Sequence, residues 1–199
     1  VLAPTITHII NLSLSTGEFP SSFKQSIVTP LIKKPSLDKE NLSNYRPISN
    51  LSFLSKLTER VIKIRLDQLT QNSLYNLYQS AYTKFHSTET ALLSVYDSLV
   101  RATAKQQVSC LCLLDLSAAF DTIDHTILIH RLTSWFGITG TALSWFKSYL
   151  LSRSSIVSAS GHKSSSFSAS CGVPQGSVLG PLLFIMYTTP LSSLIKFVC

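Results

Sequence analysis

Asp115 closes an apolar run, Cys-Leu-Cys-Leu-Leu over 110–114, and is followed by the small residues Ser117, Ala118 and Ala119, then by Phe120, Asp121 and Asp124. A carboxylate at that junction could ligate a divalent cation, because a rigid backbone fixes its oxygens while small neighbours leave room for the ion and a substrate. Both faces of 110–114 are apolar, so the pattern predicts a short buried strand with Asp115 at its mouth. The same aspartate could equally cap the turn that follows, and the strand pattern leaves both readings open. A second cluster, Cys-Gly-Val-Pro-Gln-Gly over 171–176, brackets a proline-set turn with Gly172 and Gly176 and can present the Gln175 amide and bare backbone to a ligand. Its glycines lack the Gly-Lys of a phosphate-binding P-loop. Ser177 does not sit between glycines as a nucleophile elbow requires.

These residues need elements to position them. The spacing predicts a short helix over 4–15, a strand over 26–33 running into Lys33, Lys34 and Pro35, and a polar loop over 35–47. Pro47 holds Arg46 extended. Over 50–71, Leu54, Leu57, Val61 and Ile64 mark one helix face, flanked by a stripe of Lys56, Arg60 and Lys63. Such a stripe is either a solvated face or a track for a phosphate backbone. Further helices are predicted over 88–105, with Ser87 as N-cap and Glu89 in the first turn, over 124–135, and around Leu143, Phe146 and Leu150. Gly137 and Gly140 separate the last two. The serine-rich stretch 152–171 reads as a hairpin turning at Gly161-His162, because Phe167, Ala169, Cys171 and Val173 alternate, and an apolar helix begins near Pro181. The class is therefore mixed α and β, with no internal repeat.

Composition narrows the functions available. Of 199 residues, 45% are hydrophobic and 14% charged, enough apolar material for a sizeable core. Seventeen Lys and Arg against ten Asp and Glu give a net charge of +7 spread along the chain, which suits a polyanionic partner. The four cysteines form no Cys-x-x-Cys pair and no His stands at zinc-finger spacing, so free, buried thiols are expected. The longest run without a polar side chain, 178–187, is interrupted by Gly180 and Pro181 and is too short to span a bilayer. The first residues lack a basic n-region, so Val1 is expected to be an internal position of a longer chain rather than the start of a signal peptide.

Four ordered blocks resemble the reverse transcriptase domain of LINE-type, non-LTR retrotransposons. VTPLIKKPS with SNYRPISNLSFLSKLTERVI resembles the first fingers block, QSAYTKFHSTETALL the second, LLDLSAAFDTIDH the first palm motif and GVPQGSVLGPLLF the second. The resemblance implies an α+β right-hand polymerase, with fingers over 1–106 and an incomplete palm over 107–199 that carries inserted helices (124–151) and a hairpin (152–171). It implies RNA-directed DNA polymerisation: phosphoryl transfer in which two Mg²⁺ ions about 4 Å apart activate a primer hydroxyl and neutralise the departing pyrophosphate. Asp115 matches the catalytic, metal-ligating aspartate, and Leu116, Ser117, Ala118 and Ala119 would offer backbone to metal and triphosphate. Phe120 matches the aromatic beneath the incoming sugar, which excludes a 2′ hydroxyl, and Pro174, Gln175 and Gly176 match the loop on the nascent base pair. Lys33 or Lys34 and Arg46 would grip the triphosphate; Lys56, Arg60, Lys63 and Lys84 would meet template and primer. The implied partners are an RNA template, a DNA primer and deoxynucleoside triphosphates, in an intracellular protein, cytoplasmic or nuclear, with no membrane.

The chain also departs from the family pattern. Thr83 stands where the second block usually has a basic residue, with Lys84 next. No Asp or Glu follows Asp124, so the aromatic-x-Asp-Asp of a third palm motif is absent. A single aspartate would hold Mg²⁺ weakly, and the chain alone is expected to be an inactive fragment. The alternatives are a nucleic-acid-binding remnant, or the non-functional product of a decayed element.

Overall fold

The computed structural model describes residues 2–70, 76, 78–116 and 118–194, the side chains of 67–70 and 193–194 excepted. Ser117, Cys199 and the expected helix end at Gln71 lie outside the described residues. Helix α1 (Ala3–Thr16) carries proline in its first turn and ends on Gly17, whose left-handed φ of 72° lets its N–H donate to the Ser13 carbonyl. Strands β1 (Gln25–Ile32) and β2 (Tyr45–Asn50) follow, then α2 (Phe53–Thr70) and α3 (Thr88–Ala104). The chain continues through α4 (His125–Ser134), α5 (Gly140–Leu150), β3 (Arg153–Ala159), β4 (His162–Lys163), β5 (Phe167–Ala169), α6 (Gly180–Thr188) and the single turn α7 (Leu191–Leu194).

The mixed architecture expected from the sequence is the one observed. β1 pairs antiparallel with β2, from Ile27 opposite Asn50 to Ile32 opposite Tyr45. On its other side β1 pairs parallel with β3, from Gln25 opposite Ser154 to Val28 opposite Val157. β4 and β5 both return antiparallel on β3. Pro30 and Pro47 face each other in the β1–β2 ladder, beyond the last residue at which β1 pairs with β3, so neither missing N–H breaks the parallel ladder. A parallel pair needs a long crossover, and α2 to α5 supply it. The regions 1–106 and 107–199 consequently share one sheet and one core. That core centres on Trp145, Tyr149, Leu128, Leu132, Leu150 and Leu183, with Phe19 from the N-terminal side. Trp145 stacks on Tyr149 with centroids 5.4 Å apart, and Phe19 meets both rings edge-on.

Several expectations are corrected. Residues 110–115 are exposed and outside any strand, with Leu113 83% and Leu114 74% accessible. A strand requires ladder partners, and no described strand pairs with this segment. The polar loop ends earlier than expected, because Tyr45 already begins β2; Pro47 within the strand and the lack of alternating burial hid it. On α2 the buried face is Ser55, Thr58, Glu59, Ile62 and Leu66, whereas Ile64 is 64% exposed and Leu54, Leu57 and Val61 are half-buried. The helix is turned from its hydrophobic stripe because its polar residues find partners inside. Cys110, Cys112 and Cys171 are free as expected but exposed rather than buried. Among the described residues no helix is long and apolar enough to cross a membrane.

Candidate active site

The loop 172–176 is seated by backbone contacts on both of its flanks. Gly172 donates to the Ile123 carbonyl (2.8 Å) and Val173 to the Phe120 carbonyl (2.8 Å). His125 Nε2, 2.7 Å from the Gly172 carbonyl, donates to it as well. At Gly172 a Cβ would stand 2.8 Å from the Asp121 carbonyl, and φ is +80°, so side chain and conformation are both excluded there. The far flank reaches the sheet edge: Ser49 of β2 donates to the Gln175 carbonyl at 2.7 Å. Gly176 (φ +114°) passes so close that a Cβ would lie 2.8 Å from the Ser49 carbonyl. Gln175 is half-buried and Gly176 exposed, so amide and bare backbone are presented together.

Phe120 sits behind this loop, half-buried. Its ring packs on Phe184 of α6 (5.4 Å) and lies edge-on to Tyr82 (6.2 Å), a residue of the polar and aromatic stretch before α3. Asp124 caps α4 by accepting from Ile127 N–H at 2.9 Å, and Cys171 Sγ donates to the Asp121 carbonyl at 3.3 Å. Burial pushes the Asp121 carboxyl above its ordinary range. Four sequence-distant segments, containing Ser49, Tyr82, Phe120 and Gln175, thus converge on one region.

Other candidates are less closely drawn in. Gln175 lines a cavity of about 420 Å³ with Ser49, Asp121, His125, Arg153 and Gly172. Asp115 and Leu116 line a different one, also about 420 Å³, with Arg131, Phe184 and Tyr187. Ala118, at φ +52°, and Ala119 lead from that cavity to Phe120. Lys33 Nζ donates to the Ser43 carbonyl (2.8 Å), which ties it to the loop between β1 and β2. Lys34 and Arg46 are exposed, Arg46 on β2 opposite Leu31. Lys56 is half-buried while Arg60 and Lys63 are exposed, so the basic stripe lies on the outer side of α2. Lys84 is exposed, its Nζ 4.8 Å from the Phe85 ring centre.

Glu59 was not among the expected site residues. It is wholly buried on α2, and its Oε2 accepts from Val178 N–H (2.6 Å) and Leu179 N–H (3.2 Å) at the start of α6. Its Oε1 accepts from the hydroxyls of Tyr149 and Ser55, each at 3.3 Å. Burial raises its carboxyl above the ordinary range; the two backbone donors, the Arg153 charge and Tyr149 pull the other way. Arg153 is itself buried, with its Nη1 donating to the Tyr149 carbonyl and its guanidinium 4.6 Å over the Tyr149 ring. The signal in the sequence was an acid at helical spacing with Ser55, Ile62 and Leu66, flanked by the basic Lys56, Arg60 and Lys63.

Comparison with known proteins shows the family of the chain. Residues 32–198 match the family described as reverse transcriptase (RNA-dependent DNA polymerase). The chain is 34% identical, over 92% of its length, to the probable RNA-directed DNA polymerase from transposon BS of Drosophila melanogaster, covering 20% of that protein. It is 32% identical, over 90% of its length, to the RNA-directed DNA polymerase from mobile element jockey of Drosophila funebris, covering 19%. It is also 30% identical, over 89% of its length, to the Pol polyprotein from the type-1 retrotransposable element R2 of Popillia japonica, covering 24%. The chain therefore spans about a fifth to a quarter of these relatives. With a match over most of its length and its four motif blocks in order, the chain belongs to the reverse transcriptase family, in the branch carried by non-LTR retrotransposons.

Proposed function

We propose that this chain is the nucleotide-selecting part of an intracellular RNA-directed DNA polymerase, with right-hand fingers and part of a palm. Its substrates in that reading are an RNA template, a DNA primer and deoxynucleoside triphosphates. What supports the reading is the convergence of Ser49, Tyr82, Phe120 and Gln175, residues from four distant blocks, around one glycine-bounded loop. Phe120 would lie under the deoxyribose, Gln175 and Gly176 against the new base pair, and Arg46, with Lys33 or Lys34, near the triphosphate. Lys56, Arg60, Lys63 and Lys84 would follow the template and primer backbones. In the complete protein Asp115 would be a catalytic carboxylate.

The donor set does not fit the two Mg²⁺ ions that the family reading implies. Asp115 is exposed, and the described residues contain no group of three His, Cys, Asp or Glu side chains able to hold a metal ion. A second reading, a nucleic-acid-binding chain without catalysis, is favoured by the lack of a metal-holding cluster among the described residues together with the exposed Arg60 and Lys63. Primer extension on poly(rA)/oligo(dT) and equilibrium binding of the same duplex, both with the 199-residue chain, test the two together. The expected result is binding of the duplex and of dTTP without extension. Extension abolished by Asp115→Ala would overturn the inactivity, and failure to bind either ligand would overturn the functional reading.

A further inference from the structure

We infer that Glu59 is a positioning residue: from α2 it holds the loop that presents Gln175 and Gly176. The inference rests on the reading of that loop as the nucleotide contact. On its far flank, past Pro174, the loop is gripped at two points. The Gln175 carbonyl takes the Ser49 N–H of β2 at 2.7 Å, and the amides of Val178 and Leu179 donate to Glu59 Oε2 at 2.6 and 3.2 Å. Only Leu51 and Ser52 separate β2 from α2, so both grips come from one continuous unit of strand and helix. The second carboxylate oxygen is occupied by the Ser55 and Tyr149 hydroxyls at 3.3 Å, which fixes its rotation and brings in α5.

A carboxylate suits this task for physical reasons. The first amides of a helix have no partner within it, and a negative group there satisfies the donors and opposes the positive end of the helix dipole. Gly180, the first residue of α6, is separately held by Ser177 Oγ at 2.9 Å, so Glu59 acts on the amides that precede the helix and directly follow the loop. An apolar residue would fill the same core volume without orienting those amides. Gln keeps the reach: its carbonyl takes the place of Oε2, while its amide faces two hydroxyls that can turn to accept. Asp is one methylene too short to reach both amides.

The test compares wild type, Glu59→Gln, Glu59→Asp and Glu59→Ala in the 199-residue chain. One measurement is amide exchange at Val178 and Leu179 relative to the core amides of α4. The other is affinity for dTTP on a poly(rA)/oligo(dT) complex, relative to affinity for that duplex alone. Asp and Ala are expected to speed exchange at the two amides and to weaken dTTP binding by roughly tenfold or more, with duplex affinity unchanged and Gln restoring both. The inference is overturned if exchange at 178 and 179 in the Asp variant rises no more than in α4, or if dTTP and duplex affinities fall in parallel. Should wild type bind no dTTP, the nucleotide reading fails by itself. The exchange ranking, Gln like wild type and Asp like Ala, then still decides whether Glu59 holds the loop, and the Asp variant serves if Ala does not fold.

Discussion

At Gly176 the chain passes the sheet edge in a conformation that side chains rarely adopt, with 2.8 Å between an added Cβ and a backbone oxygen that cannot yield. Gly176→Ala should therefore lower stability by on the order of 2 kcal/mol, measured as a shift in urea midpoint, and should displace Gln175 from Ser49. Phe120 carries a prediction that follows from the proposed function. Phe120→Val, which opens space beneath the sugar, should raise the affinity for UTP relative to dTTP on poly(rA)/oligo(dT); an unchanged ratio would remove Phe120 from sugar selection. Glu59 makes a different prediction, about pH. Burial is the dominant influence and raises its carboxyl above the ordinary 4.5. The folded state thus binds a proton more tightly than the unfolded chain, and stability falls as pH rises from about 4.5 through the folded value. Glu59→Gln should flatten that part of the stability-pH curve in urea titrations. The turn glycines and the helix that starts at Asp124 were legible because their partners are close in sequence. Glu59 was not, since its partners Tyr149 and Val178 lie 90 and 119 residues away.

The helices differ in what holds them. α3 has Ser87 and Thr90 in a reciprocal capping box and the ion pair Asp97–Arg101 at 2.7 Å, yet it buries no residue. Its order therefore rests on local interactions, which is why its boundaries, its cap and the acidic Glu89 in its first turn could be read from spacing alone. Ser87→Ala should cost about 1 kcal/mol of local helix stability, seen as faster amide exchange in α3 with little change in the global unfolding midpoint. α2 is the opposite case. Its apolar spacing indicated Leu54, Leu57, Val61 and Ile64, but the face that turns inward carries Ser55, Thr58 and Glu59, each wholly or almost wholly buried. Polar residues enter a core when hydrogen-bond partners await them: Glu59 meets Tyr149 of α5 and the amides just ahead of α6, while Ser55 bonds to Glu59 and Thr58 to the Leu54 carbonyl within α2. The segment over 110–115 failed for the related reason that a strand is completed by its neighbour. Its apolar composition predicted burial; no described strand supplies the ladder.

Across the whole molecule, a +7 chain with an exposed basic track on α2 should bind nucleic acid with a strong salt dependence. Replacing Lys56, Arg60 and Lys63 together by Ala should reduce the slope of log K against log salt by about 3 on a duplex, if each residue meets one phosphate. An unchanged slope would make the stripe a solvated face. Core packing is independent of that track, so Leu132→Ala, in a wholly buried position, should cost roughly 2–5 kcal/mol without altering the salt slope. The residue pattern by itself determined the helices α1 and α3 to α6, most of β1, the hairpin, the glycine-bounded loop and the ordered blocks that carry the family. All of these are written in contacts or motifs local to the chain. Only the tertiary structure decided that β3 lies parallel to β1, that the inner face of α2 is polar, that Cys110 to Asp115 is exposed, and that Glu59 reaches the far side of the Gln175 loop. Each of those depends on partners brought together across long stretches of chain, and a spacing rule that sees one helix turn or one strand at a time has no term for them.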